Sequence, residues 1–339
     1  MKSFILFILV SLALSVALKA QDPQFSQYYA SPLYLNPAFA GSTEMHRVAL
    51  NNRLQWPNLP QTYTTYALSY DYNMAHLNSG FGLLLTTDKA GSSSLRNTNA
   101  GFLYAYKIHL NNKWVITPGL NFSYTHRDID YSKLLFPDQI SSDGSGVLPV
   151  SPGGSGANRI EKVQYFDFGT GLLVYNRAAW FGGSLHHIPQ PNTSFLGGND
   201  RLPMKLTVHG GVKIPLYYGP QKLSRMSSIS PSFIYKTQGE FDQLDVGMNF
   251  TYDPIMAGLW YRGLPIRQTV DDQFSRDAVT FIMGLNFKDL QMGYSYDITV
   301  SRLGANSGGA HEISLIYEFT YENLHRVKRK EKFMPCPSF

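Results

Sequence analysis

The chain has 339 residues, a formal net charge of +5 and only 16% charged residues, against ~25% in an average globular protein. Aromatic residues reach 14%, with 29 glycines and a single cysteine. The excess charge lies at the ends, where Lys2 and Lys19 open the chain and Arg326, Lys328, Arg329, Lys330 and Lys332 outweigh Glu322 and Glu331. The neutral body therefore excludes a nucleic-acid-binding surface, and the lone Cys336 excludes an internal disulfide framework.

Residues 1–20, MKSFILFILVSLALSVALKA, read as a cleaved secretory signal peptide. Lys2 supplies the positive start. Phe4 to Val16 is an apolar core too short for a comfortable transmembrane helix, and small residues follow it. Cleavage falls after Ala20, or after Ala17 with small Ser15 three residues before the cut. No cysteine stands near either position, so no lipoprotein anchor is expected. A retained signal anchor is the alternative, and it would leave one inner-membrane helix and a soluble body.

Residues 21–45 form a segment of their own, which opens QDPQFSQYYASPLYLNPAFAGS. It is rich in aromatic residues, Asn and Pro, and Asp22 is the one charge in Gln21–Ser42. It alternates too poorly for a strand, and Pro32 and Pro37 exclude a continuous helix. Gly41 permits a sharp turn into the strand that follows. So apolar a stretch needs a dry surface to lie on, and it is expected inside a barrel or across its periplasmic mouth. Phe25, Tyr28, Tyr29, Tyr34, Leu35 and Phe39 are its candidate buried contacts.

From residue 46 to residue 321 one pattern repeats. Runs of alternating apolar and polar residues, separated by turn residues, predict strands at about 46–55, 62–72, 79–88, 95–108, 113–125, 163–175, 178–187, 205–215, 226–236, 241–251, 255–262, 278–287, 290–299 and 311–321. In 163–175, Phe166, Phe168, Leu172 and Val174 share one face and Tyr165, Asp167, Gly169 and Gly171 the other. In 290–299, Met292, Tyr294, Tyr296 and Ile298 oppose Gln291, Gly293, Ser295 and Asp297. Period two sends each set to its own side of a sheet. Lipid meets the apolar set, because a charge at mid-bilayer costs ~2–4 kcal/mol. An open sheet edge is not tolerated in hydrocarbon. The fold class is therefore all-β, a transmembrane antiparallel barrel of about fourteen strands, with outer-membrane lipid as its first partner. A secreted sandwich or propeller is the soluble alternative, but it would carry Lys and Glu rather than Gly on its polar face.

An even strand count puts both ends of the barrel in the periplasm. The odd connections, such as His126 to Lys162 and Ile188 to Met204, are then extracellular and long. The even ones, such as Asn176 to Arg177 and Lys288 to Asp289, are tight, with Leu216 to Arg225 the exception. The low-complexity stretch SSDGSGVLPVSPGGSG lies in the first of the long loops. Tyr and Trp collect near strand ends, at Trp56, Tyr63, Trp114, Trp260, Tyr261, Tyr317 and Tyr321, which predicts interfacial girdles.

No catalytic, cofactor or metal constellation stands out. His186 and His187 are adjacent in a predicted strand and would point to opposite faces. His126 with Asp128 and Asp130 reads as a solvated loop base. There is no phosphate loop, zinc spacing or calcium loop. Arg262 is a candidate lumen or rim cation. Residues 322–339 form a basic tail after the last strand, ending in an apolar stretch stiffened by Pro335 and Pro337.

Four stretches resemble the PorP/SprF family, outer-membrane proteins of the type IX secretion and gliding systems of Bacteroidota. They are Gln21–Ser42, the run GLWYRG at 258–263, the run GGAHEISLIY at 308–317, and the CPSF end at Phe339. At Ser338 the family usually has a basic residue. The resemblance implies a non-enzymatic barrel that supports export or surface attachment of a cargo such as a large adhesin. Its partners would be the cargo C-terminal domain and the periplasmic ring and motor components. On that reading the partner-binding candidates are Phe25, Tyr28, Tyr29, Tyr34, Asn36, Pro37, Phe39, Arg262, Lys328, Arg329, Lys330, Cys336 and Phe339. A porin or a hydrophobic-compound channel is the competing function, with a lumen either open or closed by the N-terminal segment.

Overall fold

The computed structural model describes residues 22–320, apart from 61, 92–94, 112, 132–133, 135–138, 141–159, 196, 217–226, 269–273 and 301–303. The expected signal peptide, most of the low-complexity loop and the basic tail lie outside the described residues. Fourteen long strands close into one antiparallel barrel. They are β1 (His46–Gln55), β2 (Tyr63–Met74), β3 (Ser79–Ala90), β4 (Leu95–Tyr106), β5 (Val115–Asp128), β6 (Lys162–Tyr175) and β7 (Ala179–His186). The second half comprises β8 (Lys205–Val212), β9 (Ser227–Gln238), β10 (Phe241–Tyr252), β11 (Ile255–Gln268), β12 (Phe274–Phe287), β13 (Leu290–Thr299) and β14 (Ala310–Phe319). Short pairings at Ile108–His109 and Ile214–Pro215 extend the ladder at one end.

Each strand pairs with its chain neighbour, and the seam joins β1 to β14 in continuous register from His46↔Phe319 to Gln55↔Ala310. Closure leaves no sheet edge, which is what hydrocarbon requires of a sheet that crosses it. The alternation read from the sequence is the alternation seen. On β6, Phe166 is 70% exposed while Asp167 beside it is buried. Leu83, Phe102, Phe122, Met283 and Ile313 likewise point outward, and Asn51, Ser69, Asn121, Ser295 and Glu312 point into the lumen.

Two expectations are corrected. The strands expected at 255–262 and 278–287 run over Ile255–Gln268 and Phe274–Phe287. Register shifts interrupt the ladder there, between Arg262 and Gly263, where the facing strand skips Asp277, and between Leu264 and Gln268. Trp260, expected in an interfacial girdle, faces inward and is buried against Tyr28, with ring centroids 5.1 Å apart. A girdle and a lumen contact draw on the same residue type, so composition did not separate them.

The strands set the ends of the molecule. β1 begins and β14 ends at the same rim, together with the tight turns at Asn176–Ala178, Asp253–Pro254 and Lys288–Asp289. The connections 129–161 and 187–204 lie at the opposite rim. Long outer loops and short inner turns make the first rim periplasmic and the second extracellular.

Candidate functional site

The lumen is occupied by the chain's own residues 22–42. Their local structure follows from their punctuation. Pro32 opens a single helical turn, α1 (Pro32–Leu35), at the position where a missing N–H costs nothing. The Asn36 side chain then accepts from the Ala38 amide at 2.9 Å and caps a 3-10 turn, Pro37–Phe39. Gly41, at φ +66°, reverses the chain toward β1.

The lumen wall carries glycine where this segment touches it. A side-chain carbon on Gly119 would stand 2.4 Å from the Ala38 nitrogen and 2.6 Å from the Pro37 carbonyl carbon. On Gly80 it would stand 2.1 Å from the Ala40 oxygen, and on Gly171 2.0 Å from Asn36 Oδ1. The glycines of the polar face thus form a seat for backbone, and the close approach demands them. Seated there, Asn36 Nδ2 donates to the Leu172 and Gly183 carbonyls at 3.2 and 3.1 Å, with His209 Nε2 also at 3.1 Å. Ser184 Oγ donates to the Leu35 carbonyl at 2.8 Å, and Phe39 stacks on His209.

A buried charge cluster grips the segment higher in the lumen. The Ser26 and Gln27 amides donate to the Glu312 carboxylate at 2.7 and 3.1 Å. Ser26 Oγ donates to Asp297 at 2.8 Å and accepts from Arg53 and Arg262 at 2.8 and 3.0 Å. Arg53 bridges Asp297 at 2.7 Å and Glu312 at 3.3 Å, and Arg262 bridges Asp297 and Asp245, each at 3.1 Å. Gln27 adds hydrogen bonds with Ser295, Ser314 and the Glu312 carbonyl. Removing such ions from water costs several kcal/mol each, and only dense pairing offsets it. The segment supplies part of that pairing, so the wall and the segment each complete the other.

Further contacts fix the two ends. At the periplasmic end the Gly41 amide donates to Asp71, which Arg47 holds at 2.8 Å. Lys107 Nζ donates to the Gly41 carbonyl at 2.6 Å and to Asn73 at 2.7 Å, and burial brings its pKa down to about 8. At the extracellular end the Asp22 carboxylate lies 2.8 Å from His187 and 3.0 Å from Lys205, while His187 reaches Asp167 at 2.7 Å.

Burial pushes the His187 imidazole down, but Asp22 and Asp167 outweigh it and raise its pKa to about 9. Burial also pushes the Asp22 carboxyl up, and His187 and Lys205 outweigh that, holding it well below the carboxylate range. A raised histidine stabilises fully below its ordinary value of about 6.5 and loses that contribution as pH rises through about 9. The lowered Asp22 contributes above its ordinary 3.8 and loses it as pH falls through its folded value. The thermal midpoint of wild type should therefore exceed that of His187→Gln most clearly near pH 6, and the gap should narrow as pH passes about 9. A gap that does not change over this range would contradict the contact.

Of the candidates named from the sequence, Phe25, Tyr28, Tyr29, Asn36, Pro37 and Phe39 lie buried along the lumen segment, with Tyr34 half-buried. Tyr34 donates to the Pro23 carbonyl at 2.6 Å, and its ring lies under Lys205 Nζ. Arg262 joins them through Ser26. Lys328, Arg329, Lys330, Cys336 and Phe339 lie outside the described residues. Reading the sequence missed Ser26, Gln27, Arg53, Asp297, Glu312 and His209. The signal for Arg53, Asp297 and Glu312 was present, since each is a charge on the inward face of a strand whose outward face is apolar.

Among solved structures, the chain is similar to the P. putida toluene transporter TodX, at 12% identity and TM-score 0.46, covering 84% of this chain and 93% of that one. It is also similar to Omp33 of Acinetobacter baumannii, at 7% identity and TM-score 0.41, covering 82% and 100%. No curated protein sequence matches. The family described as type IX secretion system membrane protein PorP/SprF matches residues 17–317. That match spans the lumen segment, the charge cluster and nearly every strand, and the chain belongs to the PorP/SprF family of outer-membrane barrels of the type IX secretion system.

Proposed function

We propose that this barrel is a non-catalytic anchor of the type IX machinery that supports export or surface attachment of a cargo protein such as a large adhesin. Its extracellular loops hold the cargo's C-terminal domain, and its periplasmic ends meet ring and motor components. The observation that carries this reading is the filled lumen. Residues 22–42 are bonded to the wall near the extracellular end, at mid-height and near the periplasmic end. A barrel so filled works through its two faces rather than through a solute path.

Planar bilayers test the point. The intact protein is expected to conduct little, and a variant lacking residues 22–40 is expected to open a channel. A large steady conductance from the intact protein would favour a solute transporter instead. Cargo display tests the inner face. The tail, with Lys328, Arg329, Lys330, Cys336 and Phe339, is proposed as a periplasmic docking peptide. Deleting Met334 to Phe339 should leave assembly intact and abolish cargo display, and normal display by that truncation would reject the docking role.

A further inference from the structure

We infer that the lumen segment is threaded from outside to inside, so that its amino end is a cell-surface feature of the barrel. A plug attached to the first strand would be expected to keep its amino end in the periplasm, beside the start of β1. The contacts run the other way. Asp22 touches His187, Lys205 and Gln238, which lie just past the end of β7, at the start of β8 and at the end of β9. All three belong to the rim that carries the long connections 129–161 and 187–204, the extracellular rim. Ser26 comes next, against Arg53, Asp297 and Glu312, each within three residues of the same rim on the opposite wall. Asn36 lies lower, against Leu172, Gly183 and His209. Gly41 comes last, against Asp71 and Lys107, at the periplasmic rim.

The charges favour this direction. Asp22 is the segment's one carboxylate, and the cations within its reach, His187 and Lys205, are at the outer rim. Moving Asp22 back to the periplasmic mouth would leave the buried Lys205 and the half-buried His187 without that carboxylate. Asp22 and Gln24 line a shallow cleft with Lys205, Lys236, Gln238 and Phe241. The amino end is therefore at the outer face, and the periplasmic face carries only the Gly41 end.

The test is accessibility in intact cells, and it does not depend on what the barrel carries. In a Cys336→Ser background, a short epitope is inserted between Gln21 and Asp22, downstream of either cleavage position. Antibody should bind it on intact cells, with no gain when the outer membrane is permeabilised. Detection only after permeabilisation would overturn the inference. Should the insertion block barrel assembly, read from gel mobility before and after boiling, the single-thiol variant Gln24→Cys decides by reaction with an impermeant maleimide. It should label in intact cells like Asn199→Cys in the outer loop, and unlike Asp289→Cys in the inner turn. Labelling that follows the Asp289→Cys pattern would equally overturn it.

Discussion

Replacing Gly119 and Gly171 together with alanine is expected to unseat the lumen segment and open the barrel. The new carbon on Gly119 meets the backbone of the Pro37–Phe39 turn, which has no rotamer to yield. The one on Gly171 meets Asn36, whose side chain cannot retreat without losing the Leu172 and Gly183 carbonyls. Overpacking of this kind costs ~1–3 kcal/mol per site. The lost hydrogen bonds add ~1 kcal/mol each. The wall itself should persist, since both substitutions leave the strand ladder untouched. Stable channel openings in planar bilayers, absent from wild type, are the expected result, together with proteolysis within residues 22–40. Gly183→Ala is the control, because its added carbon meets nothing nearer than 3.4 Å. A double variant that stays closed and resistant would show that the seat is not what holds the segment.

Arg53→Met is expected to have the largest effect on stability of any single wall substitution. Arg53 bridges two carboxylates, Asp297 and Glu312, and also donates to Ser26. Without it Asp297 keeps Arg262 and the Ser26 hydroxyl, and Glu312 keeps only the amides of Ser26 and Gln27. Breaking a buried pair from one side costs ~3–5 kcal/mol, because the partner charge stays buried. The thermal midpoint should fall clearly in detergent, and adding Glu312→Gln should recover part of the loss by removing the stranded charge. An unchanged midpoint would mean that water enters the cluster and screens it.

The wall was legible in the sequence and the contents of the lumen were not, for a physical reason. Strand alternation is a local signal, so β6, β10 and β13 could be placed by reading a dozen residues each. Register shifts after Arg262 and again between Leu264 and Gln268 hid the upper part of β11 and the start of β12, because bulged residues break the alternation that marks a strand. The aromatic residues of the lumen segment marked it as needing cover, and Gly41 marked the turn. Which end would face outward depends on pairings between Asp22 and residues such as Lys205, far along the chain, and no local pattern encodes them. Arg262 was conspicuous as a lumen or rim cation, but its partners, Asp245, Asp297 and Ser26, come from three other elements.

The grip on Ser26 bears on how such a chain is built. The first part of the segment to be translated bonds to the last two strands, across sequence separations of 286 residues to Glu312 and 271 to Asp297. Loop closure over that span is entropically demanding, and contacts of this kind form late in folding. The contacts of Ser26 and Gln27 are thus available only once β13 and β14 are in place. β14 also forms the seam with β1, where Arg53 of β1 and Glu312 of β14 are paired in register. Completing the wall and gripping the segment therefore draw on the same pair of residues.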